Sequence, residues 1–298
     1  MAGGRRIDTP FGGVFSSNLT PDPATGLGQW SADDFWQALH HGRSKNGRLL
    51  VPAFPYNHTS VITREDSDAL LAWLHSLAPV QQAPTPHTLV WPVGTQPALA
   101  VWRSLFFKPT PFMADVKQSA EWNRGAYLVQ GLGHCAACHS PRNALGASGP
   151  VDELSGGLMP IVNWYAPDLT RDRETGLAST PLAEIVRLLG TGTSAQAQTS
   201  GPMAEVVQHG TQYMNPADLQ AMAVYLQSRA QKISAADTPA ARAPVSLRVA
   251  EMGLKTYERH CAQCHGDQGQ GVRTSSGQVA YPALAGNRAV QLRDPTNL

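Results

Sequence analysis

Apolar residues along this chain recur mostly at helical spacing, in blocks separated by turn-forming residues. Phe35, Trp36 and Leu39 fall on one face of a segment that Ser31 opens, with Asp34 three residues on, which predicts a capped, core-facing helix. Thr63 and Asp66 repeat the signal ahead of Leu70, Leu71 and Leu74, with Trp73 beside them. Trp122, Gly125, Tyr127 and Leu128 suit a further helix, in which Gly125 lets another element cross closely. Asn215 caps and Pro216 opens the next, carrying Met222, Tyr225 and Leu226. Together these blocks predict a mainly α fold. The pattern breaks at 79–115, where Pro79, Pro84, Pro86, Pro92 and Pro97 precede Trp102, Leu105, Phe106 and Phe107. That stretch reads as a linker strapping one domain to the next, with the aromatic group packed between domains rather than on a partner or membrane.

The blocks belong to a repeat. Asn18-Leu19-Thr20-Pro21-Asp22-Pro23-Ala24-Thr25-Gly26-Leu27 returns 150 positions later as Asp168-Leu169-Thr170-Arg171-Asp172-Arg173-Glu174-Thr175-Gly176-Leu177. At the same offset Phe35 aligns with Ile185, Gly42 with Gly192 and Pro52 with Pro202. A two-residue shift then aligns Trp73-Leu74 with Tyr225-Leu226.

Every cysteine lies in one of two motifs, Cys135-Ala136-Ala137-Cys138-His139 and Cys261-Ala262-Gln263-Cys264-His265. In C-x-x-C-H two thiols can take up the vinyl groups of a haem as thioethers, while the histidine turns its imidazole onto the iron. A redox dithiol or a zinc site made of four cysteines shares the C-x-x-C spacing, but neither explains a histidine after the second cysteine both times. Covalent haem c at two sites is therefore the expectation.

The motifs and the repeat together set the expected domains: 1–79, a linker over 80–115, 116–232, a second linker over 233–245, and 246–298, as tandem haem-binding helical shells. Shifting His139 back by the repeat length falls before residue 1, so the first repeat's own motif, and a third haem with it, is expected on an upstream segment. In the last unit Gly253 and Tyr257 echo the helix before the earlier motif, and Gly266, Gly269 and Gly271 form the loop after it.

A sixth iron ligand that closes the haem to small molecules needs a soft or nitrogen donor, and a thioether there raises the potential. Met203 is preferred, on an irregular loop set by Gly201-Pro202; Met214 is the reserve and Met159 the third choice, while Met222 reads as core. Met203 follows His139 by 64 residues, and the equivalent position after His265 lies beyond Leu298, so the last haem's distal ligand is expected downstream. His40, His41, His58 and His75 read as surface or hydrogen-bonded histidines rather than iron ligands.

Composition adds limits. A formal net charge of +1 offers no basic field for nucleic acid. No apolar run reaches the roughly eighteen residues of a membrane span, and no secretory signal is visible. Because covalent haem is usually attached outside the bacterial cytoplasm, the missing signal leads to the expectation that Met1 is not the natural start. Nothing forms a nucleophile–base pair, a phosphate loop or a paired carboxylate site, so no catalytic residue is assigned and the chemistry belongs to the iron.

Four runs carry a family resemblance: Thr9-Pro10-Phe11-Gly12 through Asp22, Pro52-Ala53-Phe54-Pro55-Tyr56, Gly201 through Val207, and Tyr281-Pro282-Ala283-Leu284-Ala285-Gly286-Asn287. In combination the chain resembles the three-haem cytochrome c subunits of bacterial membrane-bound dehydrogenases. These serve alcohol, gluconate and aldehyde dehydrogenases, or molybdenum hydroxylases of nicotinate or isoquinoline type. The resemblance implies tandem cytochrome c-like domains passing electrons from a catalytic dehydrogenase subunit to quinone or a terminal oxidase. It implies a place on the periplasmic side of the cytoplasmic membrane, with membrane association through other segments or the partner. Carried over by position, Cys135, Cys138 and His139 hold one haem with Met203 distal, and Cys261, Cys264 and His265 hold another. Phe54 stands where many members have methionine, so the first repeat's ligands are unassigned; it points toward the molybdenum-hydroxylase branch. The rival is a multihaem peroxidase-like enzyme, which needs one haem with an open distal face.

Overall fold

Two short strands open the chain, β1 (Arg6–Thr9) and β2 (Gly12–Phe15), antiparallel with Ile7 opposite Val14. The Thr9 hydroxyl closes the turn by donating to Gly12 O at 2.7 Å. Ser31 then begins helix α1 (Ala32–His41) with a reciprocal cap: Asp34 N donates to Ser31 Oγ at 3.1 Å and Ser31 N to Asp34 Oδ2 at 2.9 Å. Gly42 ends α1 at φ 56°, and a Cβ there would lie 2.6 Å from the Tyr56 ring, so the position excludes any larger residue. One turn, α2 (Tyr56–Thr59), leads to α3 (Arg64–His75), capped by Thr63 as its sequence predicts. Helices α1 and α3 close on Leu27, Phe35, Leu39, Leu71 and Leu74, with Phe54 packed against that cluster. Each such side chain contributes about 1.5–3 kcal/mol.

These elements come from a computed structural model that describes residues 1–159, 161–231, 245–277, 279–292 and 294–297. Its contacts divide the chain into two compact units, 1–166 and 167–298. The division by compactness thus differs from the division by repeat. Of the second expected linker, 233–244 lies outside the described residues.

The stretch expected as a linker over 80–115 carries secondary structure of its own. It contributes β3 (Thr88–Leu89), which pairs with β2 through Gly12 and Leu89, and an eleven-residue helix, α4 (Gln96–Phe106). Thr95 caps α4 and Pro97 sits in its first turn, where a missing N–H costs nothing. The Arg103 guanidinium lies over the rings of Tyr56 (4.9 Å) and Phe107 (4.6 Å) and donates to His41 O at 2.6 Å. The residue just before Arg103, Trp102, donates through Nε1 to Leu145 O at 2.9 Å. The aromatic group therefore fastens α1 on one side and the segment after residue 140 on the other.

Completing the first unit are α5 (Ala120–Gln130), the turn α6 (Ala136–His139), and the pair β4 (Gly157–Met159) and β5 (Trp164–Ala166). Tyr127 of α5 reaches the start of α3: its hydroxyl accepts from Thr63 N at 3.1 Å and donates to Asp66 Oδ2. Tyr127 is buried, so Tyr127→Phe should cost about 1–3 kcal/mol, read as a lowered midpoint in denaturant unfolding.

Several local features of the first unit recur in the second. After the turn α7 (Asp172–Thr175), α8 (Leu182–Thr191) occupies the positions of α1 shifted by 150, and Gly192 ends it at φ 76° as Gly42 ends α1. Thr20 donates through N and Oγ1 to Asn18 Oδ1; Thr170 makes the same two bonds to Asp168 Oδ1. Thr59 Oγ1 donates to Leu39 O at 2.6 Å, and Thr211 Oγ1 to Leu189 O at 2.5 Å. Then come α9 (Gly201–His209) and α10 (Pro216–Arg229), the latter capped by Asn215 and burying Met222, Tyr225 and Leu226. A last stretch holds α11 (Leu247–His260), the turn α12 (Ala262–His265), and the antiparallel pair β6 (Val272–Arg273) and β7 (Val279–Tyr281). The fold is mainly α.

Candidate haem attachment sites

Each C-x-x-C-H stretch forms the same single helical turn. His139 N donates to Cys135 O at 2.9 Å and Cys138 N to Cys135 O at 3.1 Å; His265 N donates to Cys261 O at 2.9 Å and Cys264 N to Cys261 O at 3.2 Å. At helical pitch, residues i, i+3 and i+4 share one side, so two thiols and an imidazole leave the turn together. All four cysteines are free thiols, half-buried.

The thiols of the first motif sit in buried surroundings. Burial pushes the Cys135 thiol up to about 12 and raises Cys138 as well, against the pull of Arg142. A redox dithiol depends on a depressed thiol pKa, so this environment is the opposite of what exchange chemistry needs. Among the described residues no group of three or more His, Cys, Asp and Glu side chains is gathered around one point.

His265 supplies the test of fit for haem iron. Its Nδ1 lies 2.8 Å from the carbonyl of Pro282, and because a carbonyl only accepts, Nδ1 carries the proton and Nε2 carries the lone pair. A ring held in that tautomer by its rear nitrogen presents a ligating nitrogen in front. The chain closes back on the histidine through the glycine loop: Gly271 N donates to His265 O at 2.8 Å, and Leu284 N and Ala285 N both donate to Gly269 O. A Cβ at Gly271 (φ 75°) would sit 2.6 Å from Ala283 N, so glycine is what permits the approach. The role of Pro282 was not visible in its own motif. Tyr257 belongs to the same closure, its hydroxyl donating to Gly266 O.

Around the earlier motif, α5 ends in a Gly131-Leu132-Gly133-His134 turn closed by Gly133 N to Leu128 O (2.7 Å) and Cys135 N to Val129 O (3.1 Å). Gly156 N donates to His139 O at 2.8 Å, bringing the start of β4 against the motif. The residues present thus fit haem c: Cys135, Cys138 and His139 at one turn, Cys261, Cys264 and His265 at the other.

One methionine is placed differently from expectation. Met203 is not on an irregular loop but in the first turn of α9, because Pro202 is accommodated at a helix start. Met203, Met214 and Met159 are half-buried, whereas Met222 is fully buried in α10, in keeping with a core role. Of the histidines set aside, His75 Nε2 meets Leu27 O at 3.0 Å, His40 stacks on Trp36 at 4.4 Å, and His58 is buried with Nδ1 3.2 Å from Gln130 O. No helix among the described residues is long and apolar enough to cross a membrane.

Turns of this geometry suit covalent haem, and the model of the cytochrome c family matches residues 250–297. Over its whole length the chain is 36% identical to the gluconate 2-dehydrogenase cytochrome c subunit of Pantoea cypripedii, covering 70% of that protein. It is 38% identical to the cytochrome c subunit of the quinone alcohol dehydrogenase of Gluconacetobacter polyoxogenes, covering 65% of it. It is also 39% identical to a subunit of the nicotinate dehydrogenase of Pseudomonas putida, covering 24% of that protein. The chain belongs to the family of cytochrome c subunits of dehydrogenases. It spans about two thirds of the length of several of the curated relatives it matches. These relatives do not favour the peroxidase alternative.

Proposed function

We propose that this chain is the electron-carrying part of a dehydrogenase complex, built of tandem cytochrome c-like repeats, and that it does not itself oxidise the organic substrate. The observation that carries the reading is the pair of equivalent Cys-Cys-His turns, the second with its imidazole already locked in the ligating tautomer by Pro282. Haem bound there supplies one-electron chemistry. The protein's own residues tether it (Cys135, Cys138, Cys261, Cys264), ligate it (His139, His265, with Met203 as the distal ligand at the first site) and exclude water. Electrons come from a catalytic subunit whose substrate is an alcohol, a sugar, a sugar acid or a nitrogen heterocycle, as the names of the relatives suggest. They leave to quinone or a terminal oxidase on the periplasmic side of the membrane.

The full-length protein with its cognate dehydrogenase should be reduced on addition of substrate, followed by the haem absorption bands, and should stay oxidised when substrate is added without that partner. Reduction by substrate alone, at a rate comparable to the complete complex, would make it an enzyme in its own right.

A further inference from the structure

His58 is 1% exposed, in the turn α2 of the first repeat. Its Nδ1 is 3.2 Å from the carbonyl of Gln130, the last residue of α5, so Nδ1–H donates and Nε2 is left without a hydrogen-bond partner. The last carbonyls of a helix cannot be paired within it, and His58 caps one of them from another element. Between Gln130 and Cys135 lies only the Gly131–His134 turn, in which His134 has φ 35°, a left-handed value unusual outside glycine. The His58 and His134 rings stand 6.4 Å apart, and Val61, three residues after His58, packs toward Gly131.

This support is particular to one motif. The second turn is entered directly from α11, with Cys261 N bonded to Tyr257 O at 2.8 Å and no glycine turn between. Where Thr59 corresponds to Thr211 by their equivalent bonds, His58 corresponds to Gly210, which has no side chain to brace anything.

We propose that His58 is a positioning residue for the haem of Cys135, Cys138 and His139: lent by the first repeat, it clamps the Gln130 carbonyl and so fixes the strained turn that aims the motif. The inference rests on the haem reading above. A clamped turn keeps water from the haem edge, and burial of that edge sets the potential. Burial also holds the His58 pKa down to about 4, so the ring stays neutral and the clamp does not change between pH 5 and 8.

The test uses the full chain matured with haem, with His58→Leu, which removes the donor, and His58→Asn, whose amide N–H reaches the position of Nδ1. Spectroelectrochemical titration should find one haem shifted to lower potential in His58→Leu, the other unmoved, and near wild-type potentials in His58→Asn. Unmoved potentials in His58→Leu, or an equal shift in both variants, would overturn the role. Should the leucine variant fold poorly, nitrogen-15 histidine spectra of the reduced wild type decide: an Nδ1–H tautomer for His58 supports the clamp, and an Nε2–H tautomer overturns it. Haem content keeps the two readings apart. A wild-type chain without haem ends the haem assignment, whereas full haem content with unmoved potentials ends only the role of His58.

Discussion

Replacing Cys135 and Cys138 together by serine should halve the haem carried by the chain and leave the rest attached at Cys261 and Cys264. The expectation follows from the two motifs containing every cysteine and folding as equivalent turns, so each attachment is independent of the other. Thioethers cannot form on serine, and a buried turn with two hydroxyls gains no compensating bond to the cofactor. After expression with haem-attachment machinery in the periplasm, pyridine haemochrome per chain should fall from two to one, and Cys261→Ser with Cys264→Ser should do the same. Unchanged haem content in either double variant, or a wild-type chain carrying zinc and no visible absorption, would remove the assignment.

The second large effect is expected at Met203. A thioether on iron raises the haem potential and gives a methionine-to-iron charge-transfer band in the oxidised state. Met203→Ala should abolish that band and lower the potential of one haem, while Met214→Ala leaves both in place. Met203 begins a helix rather than riding a loop, so its backbone is held. If the band survives in Met203→Ala and disappears in Met214→Ala, the ligand is the latter.

How much of the fold is legible in the sequence depends on range. The caps at Ser31, Thr63 and Asn215 can be read because each is closed within four residues. So can the repeat, whose Asn18–Thr20 and Asp168–Thr170 bonds are local consequences of the shared letters. Proline misleads twice in the same way. Pro97 and Pro202 read as punctuation of a linker and a loop, yet each sits in the first turn of a helix. What decides between the two is the capacity of the following residues to continue a helix, not proline itself. The bond from His265 to Pro282 is out of reach because it spans seventeen residues and depends on the left-handed glycines at 269 and 271 bringing the chain back. His58 is a hydrogen-bonded histidine as its sequence suggests, but its partner lies 72 residues away and is set by packing alone.

That Tyr127 is anchored on Thr63 and Asp66 bears on how such arrays could be reshuffled. By repeat, residues 116–232 are expected as one unit; by contact, its opening helix α5 is anchored on the start of α3 in the preceding stretch. A recombination crossover at residue 115 would deliver a haem motif while stripping the phenol from the helix start it closes. An exchange of units at that point would keep this contact only if the Thr63, Asp66 and Tyr127 positions travelled together, so the physical unit is an overlapping pair and not a single module.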